Sequence, residues 1–430
     1  MAFDAARPLL RALEREQDAQ PDVESEDDCL SDDDLDELLQ LASGDVAALL
    51  EGSSGPKRAH TEAHLAAPCG SMSKRPRLDT HPAPSRSGSH RRRSAKREQT
   101  LATQGHIPRP KAVERHVKTA NLTTTDLQPN GLPTTSGAYV AKLEDAAELY
   151  GGKKARSLAE YLSMGFEVVK TGSNNSQLLV DRAKRVFGAF VAAPKDPTYA
   201  HDAAAAYEEL EDARRNGKIP ASSHRRGRYP AVNVVEQLLN SKYFKRLASF
   251  MDASFAAFAP KLHRYYADYN HKLSFLKLPR HRPFPASVFC AACFNFGPRV
   301  RTYKHRDILN LPFGWCAIIS LGKFDATKGG HLVLWDLKLL IEFPPGSLIL
   351  IPSATLAHSN VPIESHEHRA SFTQFTAGGL FRFVDNDFRT DETFAEEDPA
   401  GFEAMLAGRG ARWEMGLNLW STVDELLETE

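Results

Sequence analysis

Between Gly330 and Ser353 the chain reads GHLVLWDLKLLIEFPPGSLILIPS, a succession of apolar stretches of strand length with a break at Pro344-Pro345-Gly346. Runs this short, rich in Leu, Ile and Val and bounded by Gly or Pro, predict buried strands rather than a helix. The same character extends outward. SVFCAACFNF from Ser287, GWCAIISLG from Gly314 and RASFTQFT from Arg369 are strand-like, set apart by PFPA, LPFG, TKGG and NVPIES turns. On the N-terminal side the apolar spacing is instead helical, predicting helices over Ala141–Tyr150, Asp181–Ala192, His201–Asn216, Val232–Asn240 and Tyr243–Tyr266. Helices first and short strands afterwards give an α+β class, with a β-sandwich or jelly roll carried by helices.

Farther out, the composition changes. Of 38 aromatic residues only Phe3 precedes Tyr139, so residues 1–135 lack the material for a core and are expected to be a disordered front region. A mainly helical support region is assigned to 136–282, the strand-rich core to 283–390 and a helical C-terminal extension to 391–430. The formal net charge of −1 hides ten carboxylates between Asp22 and Glu37 and thirteen Lys or Arg between Lys74 and Lys118. The acidic run leads into Leu35, Leu38, Leu39 and Leu41 at helical spacing, which fits either a helix that folds on a protein partner or a solvated tail. SKRPR from Ser73 and HRRRSAKR from His90 read as nuclear-import-like clusters or phosphate-contacting arms, which makes the expected location nuclear.

The starting segment has charges throughout and no apolar h-region, unlike a secretory signal. Phe343–Ile363, the longest uncharged stretch, holds four prolines and reads as sheet and loop, so no membrane span is expected. Five cysteines in 430 residues, two of them in the front region, suggest a reducing compartment.

The chemistry sits in TYKHRDILN and TLAHSN. On a strand His305 and Asp307 share a face, and His358 can join them from a neighbouring strand. Two imidazoles and one carboxylate make the facial triad that leaves three positions open on Fe(II). An isolated HxD is also compatible with a turn histidine beside a basic loop. Alternation along RASFTQF puts Arg369, Ser371, Thr373 and Phe375 on one face, where a guanidinium with a nearby hydroxyl can clamp the far end of a dicarboxylate.

HxD, a distal His and then Arg-x-Ser resembles the series of the 2-oxoglutarate and Fe(II)-dependent dioxygenases with a double-stranded β-helix core, over about Ser287 to Asn386. Within them, HRDILN resembles the TET/JBP group, which oxidises the methyl of 5-methylcytosine or thymine, and GGHLVLWDLKLLIEFPPGSLILIPS with HSNVPI is similar to compact fungal oxygenases related to it. The resemblance implies Fe(II) on His305, Asp307 and His358, and 2-oxoglutarate on Arg369 and Ser371. It implies O2 as co-substrate and methylated DNA as partner, with Asn310 and Phe375 at the base. The cysteine-rich zinc-binding region of animal TET enzymes has no counterpart among Cys290, Cys293 and Cys316, and Phe375 stands where the group tends to have tyrosine.

Cys290-Ala-Ala-Cys293 lacks the second pair of a tetrahedral zinc site and reads as buried strand. His331 reads as either a co-substrate contact or a structural residue. His224–Tyr229, Lys277–Arg282 and Arg299, Arg301 and Lys304 form basic clusters suited to a phosphate track. Rival readings are a protein side-chain hydroxylase of the prolyl type, a DNA- or chromatin-binding protein with an inactive oxygenase fold, and an adaptor acting through residues 1–135.

Overall fold

The computed structural model describes residues 96, 100–101, 105–142, 155–171, 175–217, 232–276 and 282–428. In chain order these form α1 (Pro110–Thr119), β1 (Asn121–Thr124), α2 (Leu158–Ser163), β2 (Glu167–Val169), β3 (Gln177–Val180), β4 (Val186–Val191) and α3 (Pro197–Asn216). Then come α4 (Val232–Asn240), α5 (Lys242–Phe258), α6 (Pro260–Ser274), β5 (Ala291–Asn295), β6 (Cys316–Lys323), β7 (Leu332–Leu334), β8 (Leu339–Ile341) and β9 (Leu348–Ile351). β10 (His358–Asn360), β11 (His368–Phe375), α7 (Gly378–Asp385) and a run of short helices ending at Leu427 complete the order.

The strands build two sheets, one of seven in the order β1-β3-β4-β9-β6-β11-β5 and one of four in the order β10-β7-β8-β2. Ile349 and Ile351 of β9 share a buried cluster with Leu332, Leu334, Leu339 and Ile341 of the smaller sheet, so the sheets close face to face. Period two decides the other faces. Phe372 turns away from the smaller sheet onto Phe244 of α5, with ring centroids 5.1 Å apart, and Gln374 donates to the Met251 sulfur. Val333, Leu340 and Val361 on the smaller sheet's outer face pack with Tyr161 and Phe166. Ser157 starts α2 with a capping box closed by Glu160, a device worth about 1 kcal/mol that seats Tyr161 there.

The α+β expectation holds, and the structure corrects several of its details. Asp181–Ala192 is not helix. Its Val186–Val191 portion is β4, buried at every residue between β3 and β9. A strand covered on both faces is apolar without alternation, which is why its pattern passes for a helix. The span assigned to helical support also contains β2 and β3. Tyr243–Tyr266 is two helices, because Pro260 cannot continue α5 but can open α6 at its first turn.

The boundary at 135 moves towards the N-terminus. α1 buries Val113 and Val117, and β1 pairs in parallel with β3. This stretch builds its contacts from aliphatic side chains, so counting aromatics overlooked it. Leu417, Trp420, Val423 and Leu426 join the same core, and Trp420 Nε1 donates to Phe313 O at 2.8 Å. The acidic run, both import-like clusters apart from Lys96, most of Ala141–Tyr150, His224–Tyr229 and 277–281 lie outside the described residues.

Candidate metal centre

β10 is paired on one side by β7 and on the other by a single bridge to His305. His305 N–H donates to His358 O at 3.0 Å and His358 N–H donates back to His305 O at 2.9 Å. The two rings therefore project side by side, with centroids 4.2 Å apart. Each Nδ1 lies against a backbone carbonyl: His305 on Tyr303 O at 2.8 Å, His358 on Leu356 O at 2.9 Å. A carbonyl only accepts, so Nδ1 carries a proton in each ring, and in the neutral tautomer Nε2 is the nitrogen with the free lone pair.

Asp307 closes the group. Its backbone N–H donates to Ser353 O at 3.1 Å, and its carboxylate lies 3.7 Å from His305 Nε2 and 3.9 Å from His358 Nε2. Among the described residues His305, Asp307 and His358 are the one group of His, Cys, Asp or Glu able to hold a metal, with donor atoms within 4.8 Å of one another. Ligands about 2.1 Å from an ion at right angles are separated by about 3 Å, so the carboxylate need move under about 1 Å towards each imidazole, and no pair of donors more than about 2 Å, to seat one. Burial and then the His305 charge hold the His358 imidazole below its ordinary value, against the pull of Asp307, which keeps the neutral form that binds metals. Donor types and tautomers fit a divalent first-row ion such as Fe(II).

One carboxylate, which the sequence did not single out, fixes both ligand segments. Asp336 Oδ1 accepts from Arg306 Nη2 at 2.9 Å, and Arg306 stands between His305 and Asp307. Asp336 Oδ2 accepts from the Ala357 N–H at 2.6 Å, next to His358. Outer partners of this kind hold ligands in place.

Arg369 and Ser371 lie on the β11 face turned towards the smaller sheet. Arg369 is 2% exposed; its Nη1 donates to Val300 O at 2.9 Å, while Nε is buried without a protein partner. No carboxylate among the described residues pairs with it, and burial lowers its pKa to about 10, so it remains charged at neutral pH. An ion so placed calls for an anion. Ser371 is buried, lies opposite Ser320, and its Oγ accepts from Asn295 Nδ2 at 3.0 Å.

Asn310 is half-buried beside the triad, its Nδ2 donating to Ser353 Oγ at 3.2 Å and its N–H to Asp307 O at 2.9 Å. Phe375 is half-buried opposite Ala291 on the Arg369 face. His331 is fully buried, and burial, opposed only by the nearby Gly329 backbone, lowers its pKa to about 4.

The CxxC thiols point to different partners, Cys290 Sγ to Asn270 Oδ1 and Cys293 Sγ to Asn295 Oδ1. Arg282 leaves the expected phosphate track. It is buried, with Nη1 on Ser287 O at 2.8 Å.

No family model and no curated protein matches the sequence. Among solved structures the chain is similar to NgTET1 in complex with 5mC DNA, at 13% identity and a TM-score of 0.38, over 64% of this chain and 92% of that one. It is also similar to the viral collagen prolyl hydroxylase vCPH from Paramecium Bursaria Chlorella virus-1, in its 2OG complex. There the identity is 17% and the TM-score 0.17, over 26% of this chain and 71% of that one. At these scores neither likeness identifies a family.

Proposed function

We propose that the chain is a 2-oxoglutarate and Fe(II)-dependent dioxygenase with a double-stranded β-helix core, acting on the methyl group of 5-methylcytosine in DNA. The observation that carries the reading is a buried guanidinium with no acidic partner among the described residues, in the same sandwich as a His-Asp-His cluster. A keto acid held at a metal through one end needs a cation for the other, and Arg369 is such a cation. His305, Asp307 and His358 would hold the iron, Arg369 the distal carboxylate, and Ser371 Oγ an oxygen of the same group.

When bound, Fe(II) with 2-oxoglutarate and O2 supplies an oxidant strong enough to take hydrogen from a methyl group. The chain's part is placement. Asp307 and the two Nε2 atoms would hold the ion, and the buried surround of His358 and Arg369 limits water. A methylated base in a duplex must leave the stack to reach this point, at a cost of about a few kcal/mol. Asn310 Oδ1 has no protein partner among the described residues and can accept from an exocyclic amine, and the Phe375 ring can pack on the base. The substrate assignment rests on these two residues and on the likeness of HRDILN to the TET/JBP group. A nuclear location rests on the basic clusters of the front region, and a protein partner for the acidic segment on its leucine spacing.

The test is mass spectrometry of nucleosides after the protein meets Fe(II), 2-oxoglutarate and 5-methylcytosine DNA. Oxidised cytosine with matching succinate is expected, and Asp307→Ala should abolish both. Arg369→Leu should raise the 2-oxoglutarate requirement by about 2–5 kcal/mol, 30-fold or more, with little change in the iron requirement. Untouched DNA together with hydroxylation of a peptide would replace this substrate by the prolyl-type alternative.

A further inference from the structure

One cleft with a distinct chemistry lies beside the metal centre and takes no part in holding metal or dicarboxylate. It measures about 300 Å3 with its open mouth included, and its walls carry Arg156, Arg301 and Lys304. Among the described residues no Asp or Glu lines it. Arg156 and Lys304, gathered at one aromatic ring, repel one another, and an anion relieves that repulsion.

The cations are also held in position. Arg156 and Lys304 sit over the Trp335 ring at 5.4 and 5.1 Å from its centroid, and Arg301 over Tyr303 at 5.6 Å. Trp335 is itself fixed, with Nε1 donating to Ser359 Oγ at 2.9 Å and its ring against Tyr161 and Phe166. Asn360 also lines the cleft, and its Oδ1 accepts from Thr302 Oγ1 at 3.1 Å, which leaves the Nδ2 donor to a ligand. Cationic side chains and an amide around one small space are suited to a tetrahedral oxyanion rather than to a flat apolar ligand.

We propose that this cleft binds a backbone phosphate of the nucleic acid whose base is presented to the metal centre. The proposal rests on the nucleic-acid reading of the substrate given above. Position selects this occupant over a free phosphate. Lys304 adjoins His305, and Asn360 lies two strand residues, about 7 Å, from His358, so a phosphate here belongs to a strand already at the metal. The exposed Arg299 continues the cationic line from the same segment.

A fluorescein-labelled duplex carrying 5-methylcytosine, titrated by anisotropy against the full chain at several salt concentrations, tests it. The Arg156→Gln/Lys304→Gln double variant should bind at least about 10-fold more weakly, with a log Kd against log salt slope lower by about one, the value for one phosphate contact. Lys304→Arg should keep wild-type binding. An unlabelled duplex should change the tryptophan emission of the wild type, and Trp335→Phe should remove that change. Equal affinity and slope for the double variant and a DNA-binding wild type would overturn the cleft proposal and leave the nucleic-acid reading standing. A wild type that binds no duplex, while inorganic phosphate still perturbs Trp335, would overturn the nucleic-acid occupant and that reading together.

Discussion

Asp336 shows how much of a metal centre depends on groups that never touch the metal. It ties Arg306 and the Ala357 N–H, so its loss frees both ligand segments at once. Asp336→Asn keeps the shape but weakens the charged bond and puts a donor beside a donor. Metal affinity should fall about 10- to 100-fold, read by titration with Fe(II) or Co(II) under anaerobic conditions, with the melting temperature nearly unchanged. Its two bonds join positions 30 and 21 residues apart, so no local pattern in the sequence announces them.

A second residue-scale consequence concerns His331. Its folded pKa, about 4, is depressed below the unfolded value of about 6.5, so between these values the unfolded chain binds a proton that the folded one refuses. Above pH 6.5 the residue contributes nothing to the pH dependence, and stability falls as the pH drops from 6.5 towards 4, by about 3 kcal/mol in all. Urea unfolding of His331→Leu should lack this part of the acid destabilisation. Parallel wild-type and variant curves would remove His331 as its cause.

At the scale of elements, the stretch from Gly105 to Leu132 decides where the folded unit begins. It adds β1 to the larger sheet, buries Val113, Val117, Leu127 and Leu132, and joins His106 Nδ1 to the buried Asp252 at 2.8 Å. Each buried aliphatic side chain is worth about 1.5–3 kcal/mol, so losing four approaches the whole stability of a typical domain. A chain beginning at Ser136 should therefore melt far lower or fail to fold, and one beginning near residue 95 should match the full chain in melting temperature and succinate yield.

The strands after Cys316 were legible because Pro and Gly punctuate them and β11 alternates. β4 was not, since burial on both faces erases alternation, nor was α1, whose two buried valines sit among basic residues. The triad was legible as HxD plus a distal His, and folding does bring the three together. That Arg369 lacks an acidic partner could be learned only from the structure.

For the molecule as a whole, a metal held by His305, Asp307 and His358 would link segments that the chain keeps far apart, so binding would add to the stability of the entire fold. Free ion at about 100 times its Kd should stabilise by about 2.7 kcal/mol, a rise of several degrees in melting temperature that Asp307→Ala abolishes. The reciprocal bonds between His305 and His358 carry one more consequence. They make strand register the gauge of the ligand set: a slip by one residue would present Ala357 or Ser359, and neither can stand in for an imidazole. Errors in assembly would thus yield chains without the donor set rather than chains with a distorted one, so that a misassembled copy would be silent instead of faulty.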